Sequence, residues 1–138
     1  MRNRFVAAAT LKAPLYAVVL AAALVAPVMA HHSGAMFEDK KEVTLTGVVK
    51  EFQYTNPHSW LLVDVKGADG KVTTWGFEAE GPSSMTRAGI RLKDFTPGTP
   101  VTITGRPMKD GRPAALWVKA TRTTDNKVFV PARGFAVR

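Results

Sequence analysis

Between residues 42 and 122 the chain carries five short runs rich in β-branched and aromatic residues. Each is closed off by glycine, proline or asparagine, and this punctuation constrains the fold more than any other feature. The first run, residues 42–54, alternates Val43 and Leu45 with polar neighbours up to Gly47, after which the apolar positions are Val48, Phe52 and Tyr54. A change of parity at a glycine predicts a bulge or sharp bend there. The breaker Thr55-Asn56-Pro57 precedes a second strand over 59–66, and Gly67-Ala68-Asp69-Gly70 turns it back into a third over 71–78. Residues 81–89 read as a short helix, with Gly81 or Ser83 at its start, Pro82 in the first turn and Gly89 past its end. A turn over 96–100 leads to a fourth strand over 101–105, and Lys109-Asp110-Gly111 to a fifth over 114–122. Three strands, a short helix and two more strands predict a mostly β fold, a small five-stranded OB-like barrel with its one helix between strands 3 and 4. The long bent first strand can pair in both halves and so remove exposed edges; an open sandwich is the competing arrangement. The tail over 123–138 holds one further strand-like piece, 127–130, and is expected to fray.

A second constraint lies upstream. Arg2, Arg4 and Lys12 begin a segment whose apolar run over 15–25 ends at Pro27-Val28-Met29-Ala30, and no acidic residue precedes Glu38. A basic start, an apolar stretch and small residues at its end are the three parts of a secretory signal. The run is short for a spanning helix, which needs roughly 20 apolar residues, and Pro14 and Pro27 bound it. Residues 1–30 therefore read as a signal peptide cleaved after Ala30, giving a periplasmic or secreted protein; an uncleaved anchor is the alternative. Of 138 residues, removing 30 leaves 108, enough for one domain over 31–122 and the tail. Three of the 19 basic residues go with the leader, so 16 basic and 11 acidic residues remain and the net charge is +5. The charges are interspersed, so no nucleic-acid partner is expected, nor any membrane association after cleavage. The chain has no cysteine, which excludes disulfides and thiolate sites and leaves the core to hold the fold.

The residues His31-His32-Ser33-Gly34-Ala35-Met36-Phe37, the run Val43-Thr44-Leu45-Thr46-Gly47-Val48-Val49-Lys50-Glu51-Phe52 and the segment Thr55-Asn56-Pro57-His58-Ser59-Trp60 resemble the DUF6152 family of small exported bacterial proteins. The helix entry Gly81-Pro82-Ser83 and the turn Lys93-Asp94-Phe95-Thr96-Pro97-Gly98 fit the same pattern. The resemblance implies an exported, single-domain protein of uncharacterised role. It carries no activity or cofactor onto these positions.

Function has to be read from the residues. All three histidines, His31, His32 and His58, lie in irregular segments, and they are the candidate metal ligands. Cleavage after Ala30 would give His31 a free α-amine beside its imidazole, and an imidazole from His58 or His32 would complete a three-nitrogen set. Such a set suits copper(II), which favours tetragonal nitrogen ligation and heads the divalent affinity order. Cleavage after Met29 would instead place a histidine third and favour a square-planar copper or nickel site. Adjacent His31 and His32 point different ways in an extended chain, so one of them, rather than both, is expected to share a site with His58. Met36, Glu38 and Asp39 read better as core anchor or solvated surface than as ligands. The structural alternative leaves His31 and His32 in solvent and gives His58 a turn hydrogen bond.

A metal-free reading uses the barrel's outer face. Asn56, Trp60 and Trp75 are its candidate ligand-binding residues for a small anionic, saccharide or protein ligand, although Asn56 also reads as the residue closing the turn before Pro57. All of Trp60, Trp75, Phe77 and Trp117 read as packing residues too. No Ser-His-Asp set, cysteine nucleophile, phosphate loop or convergent carboxylate pair is visible, so a binding protein is expected rather than an enzyme, with oxidative copper chemistry at an amino-terminal histidine as the alternative.

Overall fold

The computed structural model describes residues 33–131. The predicted signal peptide, His31, His32 and the end of the tail over 132–138 lie outside the described residues. The elements are β1 (Val43–Gln53), β2 (His58–Lys66), β3 (Val72–Glu80), the helix α1 (Pro82–Arg87), β4 (Pro100–Pro107), β5 (Ala114–Arg122) and β6 (Lys127–Phe129). Antiparallel pairing follows the order β3-β2-β1-β4-β5-β6, and a parallel β3–β5 pairing closes the first five strands into a mixed barrel. The fold is thus the mostly β, five-stranded barrel with one short helix between strands 3 and 4, and not an open sandwich.

Closure depends on β1 belonging to both halves. Residues from Val43 to Val48 pair with β4 and those from Val48 to Gln53 with β2, so Val48 sits opposite both Pro100 and Asp64. The parity change lies later than the glycine. Val48 is 45% exposed and Val49 is buried, and an irregularity between Val49 and Glu51 turns Lys50 and Glu51 both outward before Phe52 returns to the core. Gly47 has another task. A Cβ there would lie 2.3 Å from the Asp64 carbonyl oxygen, so only glycine permits β2 to cross so close to the bend.

Inside the barrel, Leu61 and Val63 of β2, Phe77 of β3, Val101 and Ile103 of β4 and Ala115 of β5 are fully buried. Helix α1 starts at Gly81, has Pro82 in its first turn and ends before Gly89 at φ +76°. Its buried Met85 and the following Ile90 and Phe95 join the core. The Tyr54 hydroxyl, at the end of β1, lies 3.0 Å from the Pro82 carbonyl and 2.9 Å from that of Ile90, tying the helical segment to the barrel. On the outer face of β1 and β4, hydroxyl pairs Thr44–Thr104 and Thr46–Thr102 meet at 2.9 and 3.0 Å.

The strand-like piece near residue 127 stays with the barrel instead of fraying. Residues 127–129 pair with β5, and the Phe129 ring is buried 4.7 Å from that of Phe95. The turn into β6 is fixed by Arg122, which donates to the two Asp125 carboxylate oxygens at 3.0 and 2.6 Å. These bonds hold the Asp125 carboxyl at about 2, below its ordinary 3.8. A carboxyl lowered in the folded state adds stability above its unfolded value, and that contribution is lost as pH falls through the folded value. Asp125→Asn is therefore expected to be less stable than the wild type at neutral pH, with the difference fading between pH 3.8 and about 2. Urea titrations across that window check it; a difference that persists unchanged at pH 2 would mean the carboxylate charge plays no part.

Candidate functional site

His58 opens β2 directly after the exposed Asn56-Pro57 turn, whose peptide bond is cis. The buried residues Ser59, Leu61 and Val63 define the inner face of β2, so alternation places His58, Trp60 and Leu62 on the outer face. The hairpin register sets His58 opposite Glu80 and Trp60 opposite Glu78. These four residues share one outer patch, with His58 and Glu78 on a diagonal that long side chains can span. They do span it: His58 Nδ1 is in hydrogen-bond contact with Glu78 Oε1.

Glu78 is the unusual member. It faces outward from β3 yet is only 3% exposed, whereas the His58 side chain keeps 28% of its surface. The sheet explains the burial, since Trp60 flanks Glu78 on one side and, through the parallel pairing, Leu116 of β5 flanks it on the other. Trp60 itself lies over Gly76, where a Cβ would be 3.1 Å from its ring. Among the described residues His58 is the only ion-pair partner of Glu78, and Glu78 Oε2 is buried without a hydrogen bond. A carboxylate in such a place is costly unless its charge and lone pairs are met.

Of the predicted metal ligands, His58 alone falls within the described residues; His31 and His32 do not. Among the described residues no group of three histidine, aspartate or glutamate side chains could hold a metal ion by itself. Met36 is 46% exposed, and the anchor of this segment is the next residue, Phe37, buried and bridged to Met108. The Glu38 carboxylate pairs with Lys41, and Asp39 is exposed. The predicted ligand face is divided by the strand register. Trp60 is on the outer face beside Glu78, whereas Trp75 sits opposite Val63 and packs against the core, its ring 6.3 Å from that of Phe77. Asn56 stands exposed in the turn before His58.

Sequence reasoning ended the third strand at Glu78 and gave that residue no role. The signal was present in the hairpin, because counting back from the 67–71 turn places Glu78 across from Trp60 and diagonal to His58. What counting could not supply was the burial, which comes from β5.

The model of family DUF6152 matches residues 18–117, from within the predicted leader to Trp117 in β5. The chain belongs to DUF6152. DUF6152 is a family of unknown function, and the matched region contains β1 to β4, α1 and both members of the His58–Glu78 pair. No curated protein matches this DUF6152 chain.

Proposed function

We propose that this chain is an exported binding protein that holds one metal ion, copper(II) before others, with His58 as its fixed nitrogen donor. The remaining donors come from the mature amino terminus, from His31 or His32. The observation that supports this reading is the contact between His58 and the buried Glu78 carboxylate. Metal-ligating histidines commonly have a carboxylate partner, which fixes the ring and raises its basicity. A histidine that merely closed a surface turn would need no carboxylate withdrawn from water beside it. Copper(II) follows from the donor types, since nitrogen-rich tetragonal sets without thiolate favour it.

The test is a copper(II) titration of the exported protein, its first residue read by mass spectrometry. One bound equivalent is expected, with His31→Ala and His58→Ala each weakening it by at least tenfold, or about 1.4 kcal/mol. An isotherm that neither variant changes removes the metal reading.

One observation favours a second, metal-free reading. Among the described residues no three metal-ligating side chains come together at this place, where His58 and Glu78 lie beside a half-buried Trp60. An OB-like module of the periplasm would use Trp60 and Asn56 to contact a small ligand or a protein. The same titration separates the two, because this module leaves copper(II) in solution.

A further inference from the structure

We propose that Glu78 is itself a metal ligand, so that the ion sits between the Glu78 carboxylate and His58 Nδ1 and not on the far nitrogen of the ring. This rests on the metal reading above and specifies its donor set as mixed nitrogen and oxygen. Two arrangements are open to a histidine whose Nδ1 touches a carboxylate. In the first, the carboxylate only orients the ring and the metal takes Nε2. In the second, the metal replaces the proton shared by Nδ1 and Oε1.

The state of the other carboxylate oxygen decides between them. Glu78 Oε2 is buried without a hydrogen-bond partner, and no lysine or arginine pairs with the carboxylate among the described residues. A metal on Nε2 leaves that oxygen and most of the negative charge as they are. A cation beside the carboxylate offsets the charge and, by chelating both oxygens, also engages Oε2, and carboxylate oxygen is an acceptable donor for copper(II) or zinc alike. The flanking Trp60 and Leu116 carry no charge that could pair with the carboxylate from the two neighbouring strands. The proton that the ion displaces is released to solvent, as metal binding ordinarily releases protons.

The exported protein loaded with one equivalent of copper(II) tests this by infrared difference spectroscopy and electron paramagnetic resonance. A carboxylate band that shifts on copper addition is expected, together with loss of that band and altered copper hyperfine splitting in Glu78→Gln. Affinity should fall by about 10–100-fold, the range that also follows from losing a supporting carboxylate, so the spectra and not the affinity decide. Should Glu78→Gln fail to fold, Glu78→Asp keeps the charge, draws the oxygens back by one methylene and should still alter the copper hyperfine splitting. Unchanged copper spectra in a folded variant, with weakened affinity, would overturn Glu78 as a ligand while leaving His58 as one. Failure of the wild type to bind copper would overturn both readings.

Discussion

Phe95→Ala is expected to lower the unfolding free energy by about 3–5 kcal/mol, the cost of removing a fully buried aromatic ring. Phe95 lies just after a single helical turn, Leu92–Asp94, outside every strand, and is 0% exposed. Its ring meets three others, Phe52 at 5.7 Å, Trp117 at 5.3 Å and Phe129 at 4.7 Å between centroids. It thereby joins β1, β5 and β6 at one end of the barrel. The neighbours belong to paired strands and cannot collapse into the space, so the cavity term adds to the lost burial. For a domain whose total stability is of order 5–15 kcal/mol this is a large share, with a fall in Tm of the order of 15 °C or more. Thermal and urea unfolding measure it, with Phe95→Leu expected to recover part of the loss. A cost below about 1 kcal/mol would show that the four rings do not act as one packed unit.

Gly47→Ala is expected to cost as much as overpacked core sites do, about 1–3 kcal/mol or somewhat more. The added carbon would meet the Asp64 carbonyl oxygen at 2.3 Å and a Val63 methyl at 2.8 Å. A methyl can rotate away, but a carbonyl held in a strand cannot. Relief therefore requires β1 to draw back from β2 next to Val48, where the two halves of the barrel share a residue. Hydrogen exchange should rise first in the β1–β2 amides and later, if at all, in β4–β5. Stability within 0.5 kcal/mol of wild type would mean the bend has slack that the backbone distances do not indicate.

Much of this barrel could be read in advance because strands and turns are local. Alternation across 114–122 and the Asp110-Gly111 turn before it located β5, whose observed bounds are Ala114–Arg122. The glycine turn at 67–70 fixed the β2–β3 hairpin in the same way. Where the reading missed, distant contacts had decided the outcome. The irregularity in β1 belongs to its pairing with β2 and falls beyond Val49, while Gly47 answers to the backbone of β2 and not to its own strand. Phe95 has no periodicity around it to mark it as core. The tail is held because Phe129 reaches Phe95, a contact that strand propensity cannot foresee. At the candidate site His58 was legible as one of three histidines, but Glu78 looked like the polar end of a strand. Its environment is set by Leu116, which the sequence separates widely from it.

The seam between β3 and β5 separates the making of the site from its enclosure. His58 and Glu78 belong to one hairpin, so their contact needs only a short loop to close and can form early as the chain orders. The parallel seam, Gly76–Ala114 to Glu78–Leu116, joins strands with α1 and β4 between them, and it is expected among the last pairings to be completed. Until then Glu78 is open to water. Assembly order would thus give the pair its partners first and its low-dielectric surroundings afterwards. An ion offered to the folding chain meets a soft, hydrated hairpin, and an ion offered to the finished barrel meets a rigid one with Glu78 already buried.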